Sequence, residues 1–132
     1  MVNIHVLAGR RILLIEDEPL VALLAADYIV QLGGVCLGPI GNLADALAAA
    51  RTSPCDAAVI NLVIQGQHAY AVVEALAERG VPFGFASGVP RNGIDTKWRN
   101  RPYLSKPYSV DDMQKLLLEI FTSAASSEGP AN

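Results

Sequence analysis

Short apolar runs alternate with longer helical patterns along this chain, and few folds accept that pattern. Residues 11–15 (RILLI) read as a buried strand. Residues 19–32 read as a helix with Pro19 in its first turn and Gly33-Gly34 as its stop. A second strand over 35–37 ends at Gly38-Pro39. Asn42 then offers an N-cap, with Asp45 three residues on, to a helix whose Leu43, Leu47 and Ala50 share a face. Residues 57–60 (AAVI) predict a third strand. A loop containing Gly66 leads to a helix over 69–79, with Val72, Val73, Leu76 and Ala77 inward and Gly80 as its stop. Residues 82–86 (PFGFA) predict a fourth strand, and 87–101 have room for only a short helix. Tyr103 and Leu104 make a short fifth strand. Ser109 caps the last helix with Asp112 at N3, and Val110, Met113, Leu116, Leu117, Ile120 and Phe121 form its apolar stripe.

Strands alternating with helices predict right-handed βαβ units and a parallel sheet covered on both faces. In such open sheets a site lies beyond the carboxyl ends of the strands. The expected organisation is an N-terminal lead over 1–9, one domain over 10–123 and a flexible tail over 124–132. Hydrophobic residues make up 52% of the chain and charged ones 17%, which supports a real core and argues against intrinsic disorder. A net charge of -3 argues against a chain held to nucleic acid or an anionic membrane by overall charge. No apolar run approaches the roughly 20 residues of a membrane span. Cys36 and Cys55 form no CxxC and read as buried reduced thiols in a cytoplasmic protein.

The strand ends carry the chemistry. The first ends in Glu16-Asp17-Glu18, the third in Asn61, the fourth in Ser87 and the fifth in Lys106-Pro107. Adjacent carboxylates can hold a hard divalent cation. A hydroxyl and an ammonium on neighbouring strands can hold phosphoryl oxygens.

From LLIEDEPLV, FASG and YLSKPYS, the chain resembles the receiver domains of two-component response regulators over about residues 10–121. FASG resembles the subgroup with a Phe-Ala-Thr-Gly signature, with Ser87 in the hydroxyl position. The resemblance implies a flavodoxin-like, doubly wound sheet of five parallel strands in order 2-1-3-4-5, here with a shortened fourth helix. It also implies magnesium held by Glu16, Asp17 and the backbone carbonyl of Val63, and phosphate transfer from a kinase histidine to the residue after the third strand. Lys106 takes the position of the family's lysine, and Tyr103 that of its switch aromatic, paired with Ser87.

Asn61 departs from that pattern. A carboxylate can attack phosphorus and become an acyl phosphate, whereas an amide is a very poor nucleophile. Asn61 could still offer its carbonyl oxygen to a metal as a neutral ligand, so magnesium binding is expected to be weakened. The reading is a degenerate, stand-alone receiver, not an enzyme, that acts through protein binding. Its expected partner is a histidine kinase or another two-component signalling protein, with no direct contact to nucleic acid or membrane. Two alternatives stay open: an ordinary receiver carrying an engineered Asp-to-Asn change, and a small hydrolase or nucleotide-binding protein on the same fold. Against the last, no GxxxxGK[ST] or GxGxxG loop follows the first strand, His5 lies before that strand, and His68 reads as a polar residue at the start of a helix, with a role as general base to Ser87 left open.

Arg91, Lys97, Arg99, Arg101 and Lys106 make a local basic excess around Trp98. One reading is a docking surface with Trp98, Arg91, Arg99 and Arg101 as anchors. The other is a solvated loop in which Trp98 plugs the gap left by the short helix. The first helix is apolar nearly all round, through Leu20, Val21, Leu23, Leu24, Tyr28, Ile29 and Val30. It is either well covered within the fold or a homodimer face.

Overall fold

The computed structural model describes residues 7–127. Its elements run β1 (Arg11–Ile15), α1 (Pro19–Gln31), β2 (Val35–Ile40), α2 (Leu43–Thr52), β3 (Ala57–Ile60), β4 (Val63–Ile64), β5 (Gln67–His68), α3 (Tyr70–Glu78), β6 (Phe83–Ser87), β7 (Tyr103–Ser105) and α4 (Val110–Ser127). The main sheet is parallel in the order β2-β1-β3-β6-β7. With the small β4–β5 hairpin set aside, this is the expected 2-1-3-4-5 order.

Burial explains the order. β3 and β6 are buried throughout and β1 beyond Arg11, so the three most apolar strands take the centre, where both faces are covered. The half-exposed β2 and β7 take the edges. Successive residues point to opposite faces and build two cores. Leu13, Ile15, Ala58, Ile60, Phe83 and Phe85 pack with α2 and α3, while Ile12, Leu14, Ala57 and Val59 pack with α1 and α4. At Gly84 an added Cβ would lie 2.9 Å from the Ile120 side chain and 3.0 Å from the Pro102 carbonyl oxygen. The absence of a side chain there lets α4 approach β6 closely.

Local signals held at both capped helices. The Asn42 side chain accepts from the Asp45 N–H at 2.8 Å. Ser109 and Asp112 form a reciprocal capping box, with the Asp112 N–H donating to Ser109 Oγ and the Ser109 N–H donating to Asp112 Oδ2. On α3 the inward set is Val72, Val73, Ala75 and Leu76, with Ala77 half-buried.

Several expectations need correction. β2 does not stop at Gly38-Pro39 but runs to Ile40, with a register shift opposite Leu13 to Ile15. As an edge strand it loses no obligatory ladder bond to the missing proline N–H. The loop at Gly66 is a hairpin with Gln65 and Gly66 at φ 50° and 79°, so both central residues are left-handed, as tight β-turns require. His68 therefore lies on a hairpin strand, its ring stacked on Tyr70. α4 does not fray after Phe121 but continues to Ser127. Residues 128–132 of the expected tail lie outside the described residues, as do 1–6 of the lead and His5 within them. Leu7, expected in the lead, is 1% exposed and its N–H donates to the Leu32 carbonyl. Both cysteines are free and half-buried rather than buried.

The expected short fourth helix is a single 3-10 turn at Arg91–Gly93 within an irregular segment. Side chains do the work that a helix would do for its carbonyls. Arg91 donates to the carbonyls of Arg99 and Arg101, and Arg99 to those of Ile94 and Asn92. Ile94 and Trp98 enter the core, with the Trp98 ring edge-on to Phe83 at 5.7 Å.

Candidate acidic site at the strand ends

β1 delivers Glu16, Asp17 and Glu18 to the carboxyl edge of the sheet, and β3 delivers Asn61 beside them. The Asn61 N–H donates to the Ile15 carbonyl, which continues the β1–β3 ladder into the site. Lys106 arrives from the end of β7, its N–H donating to the Ser87 carbonyl. Four sequence-selected residues, Glu16, Asp17, Asn61 and Lys106, thus meet in one pocket.

Each carboxylate oxygen of Glu16 and Asp17 has a donor. Glu16, 3% exposed, pairs through Oε1 with Lys106 Nζ at 2.8 Å. Its Oε2 accepts from Asn61 Nδ2 at 3.0 Å and from the Glu18 N–H at 3.1 Å. Asp17 Oδ1 accepts from the same Asn61 Nδ2 at 3.2 Å, and Oδ2 accepts from the Gln65 N–H at 2.8 Å. The Asn61 amide group therefore bridges the two acids. Its orientation is unambiguous, because both neighbours can only accept.

Electrostatics follow the contacts. Burial pushes the Asp17 pKa up, but hydrogen bonds from the Gln65 N–H and Asn61 outweigh it and hold the group below its usual value. Burial pushes Lys106 down, but its hydrogen bonds and attraction to Glu16 and Glu18 leave it above its usual value. Glu18, 2.6 Å from Lys106 Nζ, had no assigned role in the sequence reading. The Gln65 contribution was also missed. Its signal is the glycine after it, which marks a tight turn that aims a backbone N–H at Asp17.

This donor set, as arranged, does not fit a divalent cation. Such a cation takes oxygen ligands, whereas Asn61 turns N–H groups, not its carbonyl, toward both acids, and Lys106 already neutralises Glu16. Among the described residues, no group of three or more His, Cys, Asp and Glu is placed to hold a metal. Val63, expected to offer its carbonyl, lies on β4 two residues beyond Asn61, in register with His68 of β5.

The Ser87 and Tyr103 hydroxyls are both engaged with Val89. Ser87 is fully buried, and its Oγ accepts from the Val89 N–H at 3.0 Å. The Tyr103 hydroxyl donates to the Val89 carbonyl at 2.6 Å. Both switch candidates thus hold the same residue, at the start of the irregular segment.

The docking surface expected at Arg91, Trp98, Arg99 and Arg101 is not presented as such. Trp98 is 5% exposed, so the gap-filling reading replaces the exposed anchor. Arg91 and Arg99 are engaged with backbone carbonyls, and Arg101 lies over the Phe83 and Trp98 rings. Exposed large apolar side chains concentrate on α1 instead, at Leu20, Leu23, Leu24 and Val30. Only Ala22, Ala25 and Ile29 of that helix are buried, while Leu20 and Leu23 are 68% and 67% exposed. Beside Leu24, a cavity of about 330 Å³ runs between Tyr28, Tyr108, Pro107 and Lys106 to the edge of the acid pocket.

No protein-family model matches the sequence, and no curated protein matches it significantly. Solved structures do. SdrG from Sphingomonas melonis Fr1 is 36% identical, with a TM-score of 0.77, over 86% of this chain and 98% of that one. A response regulator receiver domain (CheY-like) from Methylobacillus flagellatus is 24% identical, with a TM-score of 0.72, over 86% of this chain and 99% of that one. The receiver domain of the sensor histidine kinase PA1611 from Pseudomonas aeruginosa PAO1, solved with magnesium in its active-site cleft, is 21% identical. It covers 87% of this chain and 99% of its own length, with a TM-score of 0.70.

Proposed function

Because this chain belongs to the response regulator receiver family, we propose that it is a receiver-like signalling module that works by binding another protein, without aspartyl phosphorylation. The observation that carries this reading is the Asn61 amide bridging Glu16 and Asp17. The amide nitrogen lone pair is delocalised, and no carboxylate oxygen stands at that position to form an acyl phosphate. In this chain the Glu16 and Asp17 carboxylates are met by the Asn61 N–H groups, and Glu16 also by the Lys106 ammonium. Glu16, Asp17, Asn61 and Lys106 therefore serve as a fixed polar core at the mouth of the sheet.

The partner is a histidine kinase or another two-component protein. The exposed Leu20 and Leu23, with the cavity beside Leu24, support α1 as the surface that meets it. The same uncharged leucines suit a second copy of this chain, and sedimentation across a concentration series separates the two occupants. The chemistry is tested by incubation with acetyl phosphate and magnesium, followed by intact-mass spectrometry. The wild type should gain no phosphate and Asn61→Asp should gain one. A stoichiometric adduct on the wild type, labile in acid and base, overturns the reading.

A further inference from the structure

At the opposite edge of the sheet, where β6 and β7 begin, Arg101 differs from its neighbours. Arg91 and Arg99 donate to backbone carbonyls, and Lys97 pairs with Glu74. Among the described residues, none accepts a hydrogen bond from the Arg101 guanidinium and no carboxylate lies within ion-pair reach of it. Its flat faces are satisfied. The guanidinium carbon lies 4.4 Å from the Phe83 ring centroid and 5.4 Å from that of Trp98. Its edge, which carries the N–H donors, meets solvent and no protein acceptor among the described residues. The group is half-buried, and burial lowers its pKa, so its charge has lost part of its water while no described residue supplies a counter-ion.

A cavity of about 560 Å³ opens beside this guanidinium. Its size falls in the range of small-molecule sites, roughly 300–1,000 Å³. Asn100 and Ser123 supply its other polar groups, Ala77, Pro82 and Ala124 line it with accessible apolar surface, and no acidic side chain is among the residues that line it. An unpaired planar fork at the mouth of a largely apolar slot matches one ligand chemistry closely. A carboxylate would take two parallel N–H bonds from Arg101, and a flat apolar body would rest against Pro82, Ala77 and Ala124.

We propose that this cavity binds a small aromatic or otherwise flat carboxylate, held by Arg101 and independent of the acid pocket at the far edge of the sheet. The chain's single tryptophan, Trp98, lies against the same guanidinium and reports occupancy. Titration with benzoate should change Trp98 fluorescence saturably, while benzamide, its neutral counterpart, should not. Arg101→Gln should weaken the benzoate midpoint by about tenfold or more. Arg101→Lys keeps the charge over the rings but loses the fork, and should weaken it as well. If Arg101→Gln loses its circular dichroism signature, the lysine variant carries the test. No saturable response to benzoate, an equal response to benzamide, or an unchanged midpoint in the folded variants overturns the proposal.

Discussion

Replacing Asn61 with Asp would put a third carboxylate where an amide now joins two. The wild-type amide makes two hydrogen bonds to charged acceptors, at 3.0 and 3.2 Å. Such bonds contribute about 1.5–3 kcal/mol each. The new charge would also face Glu16 and Asp17, with only Lys106 to offset it. At an effective dielectric of about 20, like charges about 4 Å apart repel by about 4 kcal/mol. Side-chain rearrangement and protonation of the new acid limit that cost. The expected loss for Asn61→Asp without divalent cation is therefore about 3–6 kcal/mol, against a total of about 5–15 kcal/mol for a typical domain. Three carboxylates would suit a divalent cation, and magnesium at about 100 times its Kd would return about 2.7 kcal/mol. The assay is urea unfolding followed by circular dichroism, for both proteins, in EDTA and in magnesium. Wild-type stability should not depend on magnesium, while the variant should be weak in EDTA and gain with magnesium. A variant as stable as the wild type in EDTA would refute the bridging role of Asn61, as would an equal magnesium gain in both proteins.

Other expectations follow from burial and charge. Trp98→Ala should cost about 3–5 kcal/mol in urea unfolding, the range for removing a buried aromatic; a loss under about 1 kcal/mol would place Trp98 outside the core. The double change Leu20→Ser with Leu23→Ser should move stability by no more than about 1 kcal/mol, since both side chains are mostly exposed, yet abolish capture of a bound partner or self-association. Asp56, accepting from the Arg11 N–H and paired with the Arg11 side chain, has a lowered pKa, as does Asp17. Depressed folded values mean that their stabilisation is complete above the ordinary carboxylate value of 3.8 and is lost as pH falls through the lowered values. Melting temperature against pH should fall below that point, and Asp56→Asn should flatten part of the slope. Lys106 has a raised pKa, so its contribution should persist into alkaline solution and fade only above 10.5.

Much of the fold was legible because it rests on local signals. Asn42-Asp45 and Ser109-Asp112 cap helices within three residues of themselves, and RILLI and AAVI are apolar enough to be central strands wherever they are placed. The errors occur where a distant partner decides. β2 passes through Pro39 because it lies at the sheet edge, which no local pattern records. Gln65-Gly66 looked like a loop because its hairpin strands are only two residues long.

The acid pocket divides in the same way. Residue type alone determined that Asn61 cannot form an acyl phosphate and that Glu16, Asp17 and Lys106 stand at strand ends. Only the tertiary structure decided what those groups do to one another, because hydrogen bonds between Asn61 and Glu16 join residues 45 positions apart. The amide could have offered its oxygen to a metal or its N–H groups to the acids, and it turns the N–H groups. Trp98 and its arginines show the same limit. Their composition suits an exposed anchor, but the short 3-10 turn leaves Phe83 uncovered, and Trp98 fills that space. Composition determined which side chains were available, and packing decided which of them meet water.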